Sequence, residues 1–246
     1  MKIVIRGVVA AAMIASAAGC GTPPVAPQSA STSPTPVTTS VAVQGQSVCT
    51  ELNGTSGPDQ SCHVHSATSA YKIDISFPLD YPDMPAVTDF VKRDRDAFLD
   101  WVAKFGPSGG RDRPYEYNVT AKAFRSGPPE SGTRSVVLKI DNDTGLAHEG
   151  HPNTTFQAFN FDLGKRAPIT FDTLFKPGTK PLEILNPIVE REFDAPAADL
   201  DQTTYQNFAI TNDAVIFFFG QDQVVSDNGG PHKITVPRSE LASVLA

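Results

Sequence analysis

The sequence predicts an α+β protein built from antiparallel sheets and a few helices. Three observations carry that reading. Short segments that alternate apolar and polar residues outnumber segments with helical spacing. Turn formers are dense, with 18 Gly and 21 Pro in 246 residues, above average usage. One long stretch, residues 85–105, nonetheless keeps a helical period throughout. Hydrophobic residues make up 40% and charged residues 19% of the chain, so a packed core is within reach.

Tyr71 to Phe77 is the clearest strand. Tyr71, Ile73, Ile75 and Phe77 share one face, and Lys72, Asp74 and Ser76 the other. Pro78 and Pro82 end it. Asp83 then starts a helix with Pro85 in the first turn. Val87, Val91, Phe98, Trp101, Val102 and Phe105 form its apolar face, and Gly106-Pro107 stops it. Tyr115 to Phe124 and Thr133 to Ile140 are the next strands, separated by Ser126-Gly127-Pro128-Pro129. Thr154 to Phe161 and Ile169 to Phe171 are also read as strands. A helix over 181–193 carries Pro187 inside it. Phe208 to Thr211 and Ala214 to Phe219 flank Asn212-Asp213 as a hairpin. His232 to Val236 and a terminal helix near 238–245 complete the chain. Strand 216–219 is apolar on both faces, as a central buried strand is, or as a surface aromatic patch would be.

The first residues read as an address. Lys2 and Arg6 precede the apolar run Val8 to Ala18, too short to span a bilayer. It ends Ala17-Ala18-Gly19-Cys20, which resembles a bacterial lipobox, so residues 1–19 are expected to be a lipoprotein signal peptide and Cys20 the acylated N-terminus. Ordinary cleavage after Ala17 or Ala18 is the alternative. Acyl chains contribute about 0.8 kcal/mol per buried CH₂, enough for stable anchoring with two or three chains. Residues 20–47 are rich in Pro, Ser and Thr and lack charge; they read as a disordered tether. With Cys20 lipidated, Cys49 and Cys62 remain and are expected to pair in an oxidising compartment. Free thiols, or a metal site with His63 and His65, are the alternative.

The formal net charge of -7 argues against nucleic acid as a partner. Three cysteines are too few for a cysteine-type zinc module. No phosphate-binding or dinucleotide fingerprint is present, so no cofactor is expected. Gly106-Pro107-Ser108-Gly109-Gly110 matches the nucleophile-elbow spacing, but that motif needs a strand before it and a helix after it; here a helix precedes. A hydrolase would need an Asp such as Asp141 or Asp172 and a His such as His232 downstream. His148-Glu149-Gly150-His151 falls one residue short of a zincin, and Gly150 and Pro152 oppose a helix there. Asp141 to Gly145 lacks the Gly and Glu positions of a calcium loop. No metal is therefore expected.

Several runs resemble a known family. Gly145-Leu146-Ala147-His148, Pro152-Asn153-Thr154-Thr155 and Phe159-Asn160-Phe161-Asp162 are similar to the RsiV-type extracytoplasmic domain. Pro168 to Phe175, Tyr205 to Asp213, Val215 to Phe219 and Val236 to Ser239 continue the likeness. With Tyr81-Pro82-Asp83 and the Cys49/Cys62 spacing, residues 48–246 resemble the mycobacterial secreted immunogenic protein family, the MPT/MPB "sixty-four" antigens. Leu146 stands where that pattern often has a second Gly. The resemblance implies an exported α+β domain with a β-grasp-like part and no settled enzymatic role. It divides the folded part into an N-terminal subdomain, 48–127, and an RsiV-like one, 128–246. The related domain of the RsiV anti-sigma factor is a lysozyme receptor, and similar domains accompany some peptidoglycan deacetylases. The expectation is a lipid-anchored, non-enzymatic module that binds an envelope or host protein or glycan, with His148, His151 and Asn153 as ligand contacts in loops 141–153 and 221–231. A serine esterase using Ser108 is the alternative.

Overall fold

In a computed structural model, the described residues are 47–106, 113–144, 152–194, 200–225 and 230–246. They form a seven-stranded sheet in the order β1-β2-β3-β4-β5-β6-β7 and a three-stranded sheet in the order β10-β9-β8. The first sheet begins with β1 (Thr55–Ser56), β2 (Ser61–Ala67) and β3 (Tyr71–Pro78). After helix α1 (Met84–Phe105) come β4 (Tyr115–Ser126), β5 (Thr133–Asp143), β6 (Asn153–Asp162) and β7 (Ala167–Pro168). Every neighbouring pair is antiparallel except β3–β4, which is parallel. The exception follows from connectivity: a helix joins β3 to β4, and a crossover of that length returns the chain in the same direction. The 127/128 boundary expected from the resemblance falls in the turn between β4 and β5, which are neighbours in one sheet.

The sequence periods account for the packing. Ile73, Ile75 and Phe77 of β3 and Tyr117 and Val119 of β4 are buried beneath Val87, Val91, Phe98 and Val102 of α1. Tyr117 stacks on Phe98 with ring centroids 5.2 Å apart, and its hydroxyl donates to Asp94 Oδ2 at 2.6 Å. Burial, then the Asp94 carboxylate, pushes the phenol of Tyr117 well above its ordinary range. Cys49 and Cys62 form a disulfide beside this core, both almost inaccessible. Gly54 lies against it: a Cβ there would come 2.8 Å from Cys62 Sγ.

The second core lies between the smaller sheet and the C-terminal helices. Helix α2 (Phe171–Leu174) is one turn, and α3 (Leu182–Phe193) continues through Pro187. Strands β8 (Phe208–Ile210), β9 (Ala214–Phe219) and β10 (His232–Pro237) follow. β9 is central, which explains its two apolar faces: Phe217 and Phe219 enter the second core, while Phe218 turns to Val137 of the large sheet. Two expected elements differ. The segment 169–171 is not a strand; Thr170 and Thr173 cap each other reciprocally and wind residues 171–174 into α2. The terminal helix is absent; residues 238–244 form successive turns and Leu245 bridges to Phe175.

Polar side chains join the two sheets. Thr211 N–H bonds Ala214 O and Phe218 N–H bonds Asn207 O, so Phe208 and Ile210 direct their backbone groups away from β9. The Asn160 side chain donates to Phe208 O at 2.8 Å, and Ile210 N–H donates to Ser135 Oγ at 3.2 Å. Reciprocally, Ala158 N–H of β6 donates to Asn207 Oδ1 at 2.9 Å. Each sheet therefore satisfies an otherwise open strand edge of the other.

Candidate functional site

The strand registers bring several expected site segments to one end of the large sheet. Glu116 near the start of β4 faces Asp143 at the end of β5, and Asn142 faces Asn153, the first residue of β6. Arg113, which leads into β4, pairs with Asp143 at 2.7 Å, and the Asp143 side chain is only 8% exposed. Arg113, which follows residues 107–112, and Asp143, two residues before 145, are therefore neighbours. Beyond β9, Gln221 N–H donates to Thr154 O at 2.8 Å. Gly220 permits this approach, because a Cβ there would sit 3.0 Å from that same carbonyl. Its N–H donates to Gln223 Oε1, which fixes the turn. The described turn after β9 and the start of β6, which border the two segments expected to carry ligand contacts, 141–153 and 221–231, thus adjoin.

Asn153 is exposed and begins β6 on the face that carries α1. Its cross-strand neighbour Asn142 holds a buried Oδ1 without a hydrogen-bond partner. On the opposite face, Asp141 accepts from Lys139 Nζ at 2.6 Å and from Thr154 Oγ1 at 2.5 Å. Ser108, His148 and His151 lie outside the described residues, as does Cys20. The described flanks of Ser108 are helix α1 before it and strand β4 after it. That order is the reverse of a nucleophile elbow.

The remaining candidates are separated. Asp172 sits in α2 and accepts from Gln202 Nε2 at 2.5 Å. The ring of His232 rests on Phe193, centroids 4.9 Å apart, and its Nε2 is buried without a partner. No bond joins His232 to Asp141 or Asp172 among the described residues. His63 and His65 do share one face of β2. His65 Nδ1 is 2.6 Å from Asp74 Oδ1, and His63 Nε2 is 2.6 Å from Ser61 Oγ, so each imidazole is already engaged. No group of three or more metal-ligating side chains occurs among the described residues. Sequence reasoning missed Asn142 and the Arg113–Asp143 pair. Their positions follow from register, and the only local signal was the polar break in the apolar alternation of β5 after Ile140.

Residues 172–239, from α2 through β10, match the family described as a protein of unknown function, DUF3298. Solved members of that family are similar over 78% of this chain: one from Pseudomonas aeruginosa PAO1 at 14% identity, 96% of its length and a TM-score of 0.45, and one from Bacteroides fragilis at 12% identity, 95% and 0.47. The chain is 45% identical over 202 residues to a Mycobacterium tuberculosis protein named Esterase Rv3036c, covering 78% of this chain and 86% of the relative. It is 41% identical over 207 residues to Immunogenic protein MPB64 of Mycobacterium bovis and MPT64 of Mycobacterium tuberculosis, covering 80% and 88%. At this identity and coverage, the chain belongs to the family that holds the MPT64 and MPB64 immunogenic proteins and Esterase Rv3036c.

Proposed function

We propose that the protein is an exported, lipid-anchored module whose ligand site is the end of the large sheet between residues 141–153 and 221–231. The observation that carries this reading is the Gln221–Thr154 backbone bond, which ties the turn after β9 to the start of β6; loop-borne recognition sites are positioned by such a rigid scaffold. The disulfide Cys49–Cys62 supports export, since such bonds persist in oxidising compartments. The lipobox-like Cys20 and the uncharged tether behind it support anchoring. No described helix is long and apolar enough to cross a membrane. The ligand is an envelope or host protein or glycan, bound without chemistry, with Asn153 among its contacts. Surface plasmon resonance of the mature chain against soluble peptidoglycan fragments and lysozyme tests this. Binding to either that weakens at least tenfold in Asn153→Ala upholds the site; binding that Asn153→Ala and Gln221→Pro both leave intact removes it.

A second reading is favoured by the esterase name of a 45% identical relative and by the Arg113–Asp143 pair, which ties the segment holding Ser108 to the root of the one holding His148 and His151. In that reading Ser108 attacks an ester, and one of the two histidines takes its proton. A fluorophosphonate probe with peptide mapping separates the readings. An adduct on Ser108 supports the hydrolase; a folded, disulfide-intact sample that stays unlabelled refutes it.

A further inference from the structure

We infer that strand β10 is the contact by which two copies of this chain pair, edge to edge about a two-fold axis at Thr235, so that their smaller sheets become one. Four strands end the two sheets. β1 and β7 are two residues long, and β8 is bonded by Ser135 and Asn160 of the large sheet. β10 is six residues long, and its outer side is open among the described residues. The register shows which groups that side offers. Arg238 N–H donates to Asp213 O at 2.8 Å, and bonding alternates along an antiparallel pair. His232, Ile234 and Val236 therefore bond β9, opposite Phe219, Phe217 and Val215. Lys233, Thr235 and Pro237, all exposed, direct their backbone groups outward. Pro237 thus falls where its missing N–H costs the pairing with β9 nothing.

An open strand edge is a template for another strand, and the charges around this one select its partner. A groove of about 330 Å³ lies between β10 and α3, and its charged walls are Arg191 and Glu192 of α3, Lys233, and Glu240 just after the strand. Both signs are equally represented, and none of these residues forms an ion pair among the described residues. Charge is also ordered along the strand. Lys233 lies near its start, and Glu240 N–H donates to Pro237 O at 3.0 Å at its end. An antiparallel copy reverses that order. With the axis at Thr235, the two Thr235 residues exchange both backbone bonds, and Lys233 of each copy faces Pro237 of the other. There its N–H reaches the second lone pair of the Pro237 carbonyl. Lys233 then meets the partner's Glu240 at both ends of the pair. Such reciprocity is what a two-fold interface requires, and facing threonines and opposite charges are favourable cross-strand pairs. A foreign strand of uniform charge sets like against like at one end of the groove.

Sedimentation equilibrium of the mature chain tests this, with Cys20→Ser carried throughout to exclude a disulfide there. A reversible monomer–dimer equilibrium is expected between about 1 and 500 μM, since a contact along one strand edge is small. Lys233→Glu and Glu240→Lys each weaken it about tenfold, because each sets like charges together at both ends of the pair. The double exchange, Lys233→Glu with Glu240→Lys, restores it. Thr235→Cys, exposed and on the axis, is expected to cross-link to its own copy through a short bismaleimide, as read by peptide mapping. A folded chain that stays monomeric at every concentration, including one that takes only foreign peptides, overturns the pairing. So does a dimer that neither charge reversal weakens, or one that Thr235→Cys does not cross-link.

Discussion

Replacing Asn160 with Leu tests how the two sheets are joined. Asn160 is 4% exposed, and its Nδ2 is 2.8 Å from Phe208 O. Because Phe208 directs its carbonyl away from β9, and Phe208 is itself buried, no strand and no bulk water takes over the lost donor. Leu keeps the volume, so the cost is that of an orphaned buried acceptor, about 1–3 kcal/mol, with no cavity to add. The Oδ1 of Asn160 already lacks a partner, so removing it returns part of that cost, and about 2 kcal/mol is the expected net loss. With a urea m-value of about 2–3 kcal/mol/M for a domain of this size, the unfolding midpoint falls by about 0.7–1 M. Thr155→Val, at an exposed position of the same strand, is the control and stays within about 0.5 kcal/mol. Both are measured by equilibrium urea unfolding with the disulfide intact. If Asn160→Leu matches the control, the sheets are held by apolar packing alone, and the cross-sheet hydrogen bonds carry no net stability.

Three further outcomes follow from the same geometry. Gly54→Ala forces a Cβ to 2.8 Å from Cys62 Sγ and 2.9 Å from Cys49 Sγ; it should cost about 1–3 kcal/mol and leave more free thiol, as read by thermal unfolding and thiol titration. The phenols of Tyr81, Tyr117 and Tyr205 are all raised, chiefly by burial. A raised folded value means that their contribution is complete below the unfolded pKa of about 10 and is lost as pH climbs from there towards the folded values; urea midpoints that stay flat above about pH 10 would contradict this. Arg113→Met strips the mostly buried Asp143 carboxylate of a cation at 2.7 Å. With Arg113 half exposed, the cost is about 1–2 kcal/mol, and amide exchange at Glu116 and Asn142 should quicken.

What the sequence revealed and what it hid divide by the range of the interactions. Strand β3 and helix α1 are legible because their apolar residues repeat with one period and face one core. Helix α2 was hidden because Ile169 and Phe171 look like strand positions, while the reciprocal Thr170–Thr173 cap involves residue types equally at home in strands. The terminal residues carry apolar Leu241, Val244 and Leu245 at helical spacing, but the bridge from Leu245 to Phe175 pulls the last residues into extended pairing. The cross-sheet bolts were invisible for a different reason. Ser135 and Asn160 alternate with apolar neighbours as solvent-facing residues do, and only the fold reveals that they serve the open edge of β8.

The candidate site inherits this division. Asn153 could be picked from its motif, but its adjacency to Asn142 depends on the β5–β6 register, and the approach of the turn after β9 to the start of β6 depends on one backbone bond, Gln221 to Thr154. That bond is held in place by the bolts: Asn207 on Ala158 and Asn160 on Phe208 fix β6 against the smaller sheet four to six residues beyond Thr154. Substitutions within the loops should therefore cost little stability while changing recognition, as expected for surface connections. Substitutions at Asn160 or Asn207 should do both, because they loosen β6 against the smaller sheet and with it the Gln221–Thr154 bond.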